Sequence, residues 1–295
     1  MATIYTRQSS NIFKTYLLMG LFLVVVCAIG YFLSNYYSNP GIFYAALLIS
    51  LLMNVLSFWY SDRIVLTLAG AKEAKRDEYF DLYTLTENLS ITAGLPMPRL
   101  FVINDPAPNA FATGRDKNHA VVAVTDGLLE RLERPELEGV IAHELSHIGN
   151  RDILLMSVVV VLVGMVSIIS DMFVRSTMFG GRDDRKGGGG IFALAGVILI
   201  VLSPIIATII KLAISRRREF LADSSAALLT RYPEGLARAL EKISSYETPM
   251  RKVHSATAHL FISSPLGAKN SISILFSTHP PIEDRIKALR GLGWG

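Results

Sequence analysis

The sequence predicts an α-helical integral membrane protein with four spans and a mainly α, α+β domain on the cytoplasmic side. Two observations carry that prediction. First, 51% of the 295 residues are hydrophobic and the mean hydropathy is +0.40, high for a soluble chain. Second, the apolar residues gather into four nearly uncharged segments, 16–34, 41–60, 153–170 and 191–215. Each approaches or exceeds the roughly 18–20 residues that cross a bilayer as a helix. The order along the chain is a membrane hairpin (1–60), a first half-domain (61–152), a second hairpin (153–215) and a second half-domain (216–295).

Segment 16–34 could pass for a signal peptide. No small-residue cleavage site clearly follows and a second apolar segment comes almost at once, so it reads as a retained anchor. Lysines and arginines near the spans set the orientation. Arg7 and Lys14 precede the first span, and the link 35–40 is uncharged. Arg63, Lys72, Lys75 and Arg76 follow the second, and Arg216, Arg217 and Arg218 follow the fourth. The N-terminus and both half-domains are therefore expected in the cytoplasm. The 175–190 loop runs against this, with Arg175, Arg182, Arg185 and Lys186 beside Asp183 and Asp184 on the expected outer side. A second hairpin that only dips into the membrane is the open alternative.

A net charge of +4 suits anchoring to anionic lipid. No basic stretch is interleaved with aromatics, so nucleic acid is not an expected partner. Cys27, the single cysteine, lies in the first span, which excludes an internal disulfide and a cysteine metal site. The glycines at 187–190 lack the lysine and hydroxyl residue of a phosphate loop and read as a linker. No internal repeat is present, and nothing in the sequence bears on oligomeric state.

Within 61–152 the patterns predict a helix over 77–90, a strand over 99–103, a loop over 104–109, and paired strands over 110–113 and 120–124 joined by a turn. A further helix starts at Pro135, where a missing N–H does no harm, with Glu136 and Glu138 at the positive end of its dipole. Leu137, Val140, Ile141, Leu145 and Ile148 repeat near 3.6, so one stripe packs inward. Asn150 and Asp152 read as end-of-helix polar groups. The second half-domain reads as mostly helical, with a short extended piece at 273–277.

That helix carries His143-Glu144-Leu145-Ser146-His147. Histidines four apart share a helix face and can reach one zinc ion, while Glu144 stands to the side as a general base for the attacking water. Without further context the segment could be a solvated helix face. A catalytic zinc takes three protein ligands, so one more is needed. Glu219 is the strongest candidate, with Asp223 one turn later on the same face, placed to accept the other ring N–H of a ligating histidine. The competing reading pairs both carboxylates with the neighbouring arginines on a surface helix. His119, His254 and His259 sit in turn-like or surface-like sequence and receive no role.

These residues resemble the HtpX-type membrane zinc metalloproteases, relatives of the CAAX prenyl endopeptidases. The resemblance rests on His143-Glu144-Leu145-Ser146-His147, on Arg218-Glu219-Phe220-Leu221-Ala222-Asp223, and on four spans in this order. Pro108-Asn109-Ala110-Phe111-Ala112-Thr113-Gly114 resembles the family's strand beside the active-site cleft. Thr278-His279-Pro280-Pro281, with Arg285 beyond, resembles its C-terminal motif. The resemblance implies a zincin-like cytoplasmic metalloprotease domain, one Zn2+, and an endopeptidase of inner-membrane protein quality control. Its implied substrates are misfolded or unassembled membrane proteins.

On that basis Asn109, Ala110, Phe111 and Ala112 are candidates to receive an extended peptide by strand addition. An ordinary hairpin strand is the alternative. His279 is a candidate donor to the oxyanion, or simply part of a helix start before Pro280 and Pro281. Arg285 is a candidate anchor for that helix, or a site group. An intramembrane protease is disfavoured by Glu136, Glu138 and Arg151 around the histidine motif. A transporter is disfavoured because Asp171 and Lys211 lie only at span ends, and a metal-bound adaptor would need no Glu144.

Overall fold

The computed structural model of the chain describes residues 4–164, 216–252, 254, 256–265 and 280–292. It opens with two packed helices, α1 (Ile4–Tyr36) and α2 (Pro40–Trp59). Asn39 ends the link between them: its Oδ1 accepts from Gly41 N at 2.9 Å, and Pro40 fits the first helical turn. Ser9–Tyr36 and Pro40–Trp59, 28 and 20 residues long, are long and apolar enough to cross a membrane. Leu17, Val24, Leu48 and Val55 are exposed on them, as side chains facing lipid would be. A Cβ on Gly30 would collide with that of Ala46, so the close approach of the pair requires glycine there.

The expected segments 16–34 and 41–60 fall on these helices, α1 beginning earlier and α2 ending one residue sooner than expected. The third segment begins as α7, described over Asp152–Gly164. Residues 165–170, the loop 175–190, the fourth segment 191–215 and the piece 273–277 lie outside the described residues.

After α2 the short amphipathic α3 (Ser61–Ala69) buries Val65, Leu66 and Ala69 and ends at Gly70 in the left-handed conformation. A four-stranded sheet follows, built from β1 (Ala71–Glu73), β2 (Arg99–Ile103), β3 (Ala110–Thr113) and β4 (Val121–Thr125). Its spatial order is β1-β2-β4-β3, with β2 and β4 parallel and the outer pairs antiparallel. Side chains alternate between the two faces. Leu100, Val102, Ala110, Ala112, Val122 and Val124 join one core, with α4 (Phe80–Ala93), the short α5 (Asp126–Arg131), α6 (Arg134–Gly149) and the C-terminal helices. Phe111, Val121 and Ala123 join the other, with α3, α7 and the 250–261 segment.

The helix expected over 77–90 is α4, shifted to Phe80–Ala93. The residues before it are drawn into a turn in which the Glu78 and Tyr79 amides bond Lys75 O. The helix expected from Pro135 is α6, started by a capping box of Glu133 and Glu136. Sequence periodicity predicts one inward stripe, but α6 is buried on nearly every side, between β3, α4, α8 (Arg216–Thr230) and α9 (Pro233–Ser244). Gly139 permits this: a Cβ there would meet Leu236 N at 2.7 Å. α6 ends at Gly149; two residues on, Arg151 has a φ of 57°, unusual for a non-glycine residue, and α7 leaves at 84°. The expectation of mostly helix after 216 holds for α8, α9 and α10 (Ile282–Arg290) but not between Tyr246 and Pro265.

Candidate metal centre and active site

α6 is buried deeply enough that its polar residues must find partners, and they find them in each other and in α8. His143, His147 and Glu219 each offer a donor atom within 4.8 Å of the others. His143 Nε2 lies 3.2 Å from His147 Nε2 and 3.8 Å from Glu219 Oε2, and His147 Nε2 lies 3.7 Å from Glu219 Oε1. Ligands about 2.0–2.1 Å from a tetrahedral zinc stand about 3.4 Å apart, so the three donors fit such an ion.

Each histidine turns its other nitrogen to a carboxylate. His143 Nδ1 is 3.0 Å from Asp223 Oδ1, and His147 Nδ1 is 3.1 Å from Asp152 Oδ2. A carboxylate at Nδ1 leaves Nε2 as the lone-pair nitrogen, which is the tautomer a metal needs. Asp152 is therefore no plain end-of-helix residue. It starts α7, and the sharp corner at Arg151 folds it back under His147.

Arg285, on α10, is wholly buried and bidentate to Asp223, with Nη2 to Oδ1 at 2.7 Å and Nε to Oδ2 at 2.9 Å. Its Nη1 donates to Ile262 O at 3.0 Å. Its guanidinium faces protein groups, so it positions Asp223. Burial would raise the Asp223 pKa, but the charge and hydrogen bonds of Arg285 outweigh it and hold the carboxyl below its usual range. Burial, with the Arg285 charge, pushes His143 down to about 4 against the pull of Asp223. Burial opposes the charged form of His147 too, but the Asp152 hydrogen bond and the Glu219 charge prevail and lift it to about 9.

Glu144 is buried, and burial with the nearby Glu219 charge raises its carboxyl to about 7. The backbone N–H of Ala112 donates to it. That bond follows from the register of β3. The Thr125 amide bonds Asn109 O at 3.0 Å, so alternation turns the polar groups of Ala110 and Ala112 to the outer edge. There Ala110 O accepts from Ile262 N at 2.9 Å, so part of the edge is covered by this chain's own 261–263 segment. Asn109 Nδ2 donates to Ser263 O at 3.0 Å, and Phe111 is fully buried against Phe261. The Asn109 and Phe111 side chains are thus taken up by contacts within the chain.

His279 lies outside the described residues. His259, expected at the surface, is buried with Nε2 3.4 Å from Met156 O. Asp152 and Asn11 are the site's neighbours that sequence reading passes over. The signal for Asn11 is faint: Asn11 and Thr15 stand one helical turn apart, in line with Leu18 and Phe22.

A buried carboxylate beside three candidate metal donors, on a chain with membrane-length helices, fits a membrane metalloprotease. Residues 77–292 match Peptidase family M48, and the chain belongs to that family. It is 47% identical to the Protease HtpX homolog of Caldanaerobacter subterraneus subsp. tengcongensis, across 98% of both chains. It is 44% identical to the Protease HtpX homolog of Pyrococcus furiosus, across 94% of both. The crystal structure of S. mikatae Ste24p superposes with a TM-score of 0.51 over 97% of this chain and 67% of that one, at 19% identity, a likeness of fold.

Proposed function

We propose that the chain is a zinc endopeptidase that cuts misfolded or unassembled membrane proteins at the cytoplasmic face as part of protein quality control. The observation that carries the peptidase reading is the burial of Glu144 beside the His143, His147 and Glu219 donors, with its carboxyl tied to the strand edge by Ala112.

His143, His147 and Glu219 hold the ion. Zinc, when bound, acts as a Lewis acid that polarises the scissile carbonyl and makes the attacking water more acidic. Glu144 accepts the proton of that water on its carboxylate and passes it to the leaving amine. A carboxyl lifted to about 7 suits both halves of that transfer near neutral pH. The outer edge of β3 aligns the peptide as an added strand, through Ala110 and Ala112 backbone groups, once the 261–263 segment yields its place. His279 donates to the developing oxyanion. Asp223, held by Arg285, and Asp152 keep the two imidazoles in their metal-binding tautomers.

The test is Glu144→Gln in purified full-length protein. It should keep zinc, measured by elemental analysis, and lose casein cleavage on the order of a hundredfold or more. Near-normal cleavage would remove Glu144 from the role of base.

The cytoplasmic placement rests on the positive residues flanking the spans, and aromatic residues mark the membrane interface at the domain end of α2. There Arg63 stacks on Tyr60, and Arg115 lies 4.6 Å from the Trp59 ring centroid. Cysteines placed at the exposed Thr92 and Ser244, with Cys27 replaced, should resist an impermeant thiol reagent in intact cells and react after lysis. Labelling of Thr92 alone in intact cells would separate the two half-domains and defeat the shared metal site.

A further inference from the structure

α6 ends against the first membrane helix, and the contact is polar. Asn11, on α1, is buried. Its amide donates to Asp152 Oδ1 at 2.7 Å and to Asn150 O at 3.1 Å. The other oxygen of Asp152 is the one that faces His147 Nδ1. A hydrogen-bonded chain thus runs from a membrane helix, through one carboxylate, to a metal donor.

The surroundings show that Asn11 belongs there. Asn11, Thr15, Leu18 and Phe22 are all buried on one face of α1. Thr15 turns its hydroxyl to Asn11 O at 2.9 Å. Phe22 packs with Leu154, Val158 and Leu162 of α7 in a dry cluster. Near the start of α7 this interface offers the amide the acceptors it needs, and a buried amide without them would be destabilising. Arg218 Nη1 also approaches Asp152 Oδ1, but at 3.7 Å.

We propose that Asn11 is a positioning residue of the metal centre, so that the N-terminal membrane helix is a working part of the active site. The proposal rests on the reading that His143, His147 and Glu219 bind zinc. The Asn11 amide holds Oδ1 of Asp152, which aims Oδ2 at His147 Nδ1–H and leaves Nε2 for the ion. By holding Asn150 O as well, the same side chain pins the corner at Arg151 across which Asp152 must reach back. Asn11 lies outside the 77–292 region that matches the peptidase family, so a construction limited to that region lacks this support.

The experiment uses full-length protein in detergent micelles. Zinc affinity is read by competition with a chromophoric chelator, and ligand geometry by the absorption bands of the cobalt(II)-substituted protein. Asn11→Leu keeps the size and removes the donors. It should raise the zinc Kd by about ten- to a hundredfold and shift the cobalt bands. Asn11→Ala should do the same if the larger side chain disturbs insertion. Leu18→Ala, which loosens the same helix face without touching Asp152, should leave both readouts unchanged. In an Asp152→Ala background Asn11→Leu should add no further loss. An unchanged Kd in both Asn11 variants overturns the proposal. So does an equal loss in Leu18→Ala, or an undiminished loss in the Asp152→Ala background. Failure of the zinc reading is distinct: wild-type protein would then bind no zinc, or His147→Ala would bind it as tightly as wild type.

Discussion

The two histidines of the candidate metal centre are chemically alike and are supported from opposite halves of the molecule. His143 is backed by Asp223 on α8, and Asp223 by the wholly buried charge of Arg285 on α10. His147 is backed by Asp152 at the start of α7, and Asp152 by the neutral amide of Asn11 on α1 at 2.7 Å, with the Arg218 guanidinium farther off at 3.7 Å. A charged support placed in a dry interior is rigid and costly to disturb, because each partner loses its compensation when the other goes. A neutral support tunes its histidine without threatening the fold.

The largest expected effect is on the charged side. Arg285→Met leaves Asp223 buried without its counter-ion and should destabilise the protein by about 3–5 kcal/mol, seen as a lower midpoint in chemical denaturation. A midpoint equal to wild type would mean that the two supports do not differ in kind. Asp223→Asn should lose zinc more severely than Asp152→Asn, for which a loss of about ten- to a hundredfold is expected with the fold intact. Equal losses in chelator competition would erase the contrast.

A smaller and more diagnostic effect is expected from pH. The metal-free site keeps its extra proton on His147, lifted to about 9, while His143, pushed down to about 4, is neutral. Zinc must displace the His147 proton, and lower pH favours the proton. Affinity should therefore fall about tenfold for each pH unit from 9 to 7. Asp152→Asn should flatten that slope, because Asp152 supplies the leading favourable contribution to the His147 shift. A slope unchanged in the variant would assign the proton elsewhere. Least of all should happen on replacing His119, which is half exposed and paired with Asp116, with Gln: zinc affinity should not move.

The charged side of this contrast was the legible one. Glu219 and Asp223 share a helix turn, and their arginine neighbours and histidine partners are residue types that advertise themselves in sequence. Arg285 stood out through the motif around it. The first two expected spans, α1 and α2, were legible for the same reason that lipid tolerates them, a long run of side chains without charge. The His147 side was obscured by distance and by an ordinary-looking corner. Asn11 meets Asp152 across 141 residues, and no local pattern encodes such a pairing. Asp152 follows a helix end where polar residues are commonplace, and only the left-handed Arg151 reveals that the chain doubles back there. The burial of α6 all round was hidden too, because Gly139 and Ala142 carry no signal of the neighbours that they admit.

The reach of Arg285 has a consequence in time. It is made 142 residues after His143, and the Asp223 that backs His143 is without its charge partner until it arrives. At about 5–20 residues per second, the interval between the synthesis of His143 and that of Arg285 is about 7–28 seconds. Throughout that interval the nascent chain already carries its histidine pair, yet lacks the complete scaffold that fixes both rings. The charged support of His143 is thus completed long after the histidine itself, and only once the chain has been made as far as Arg285.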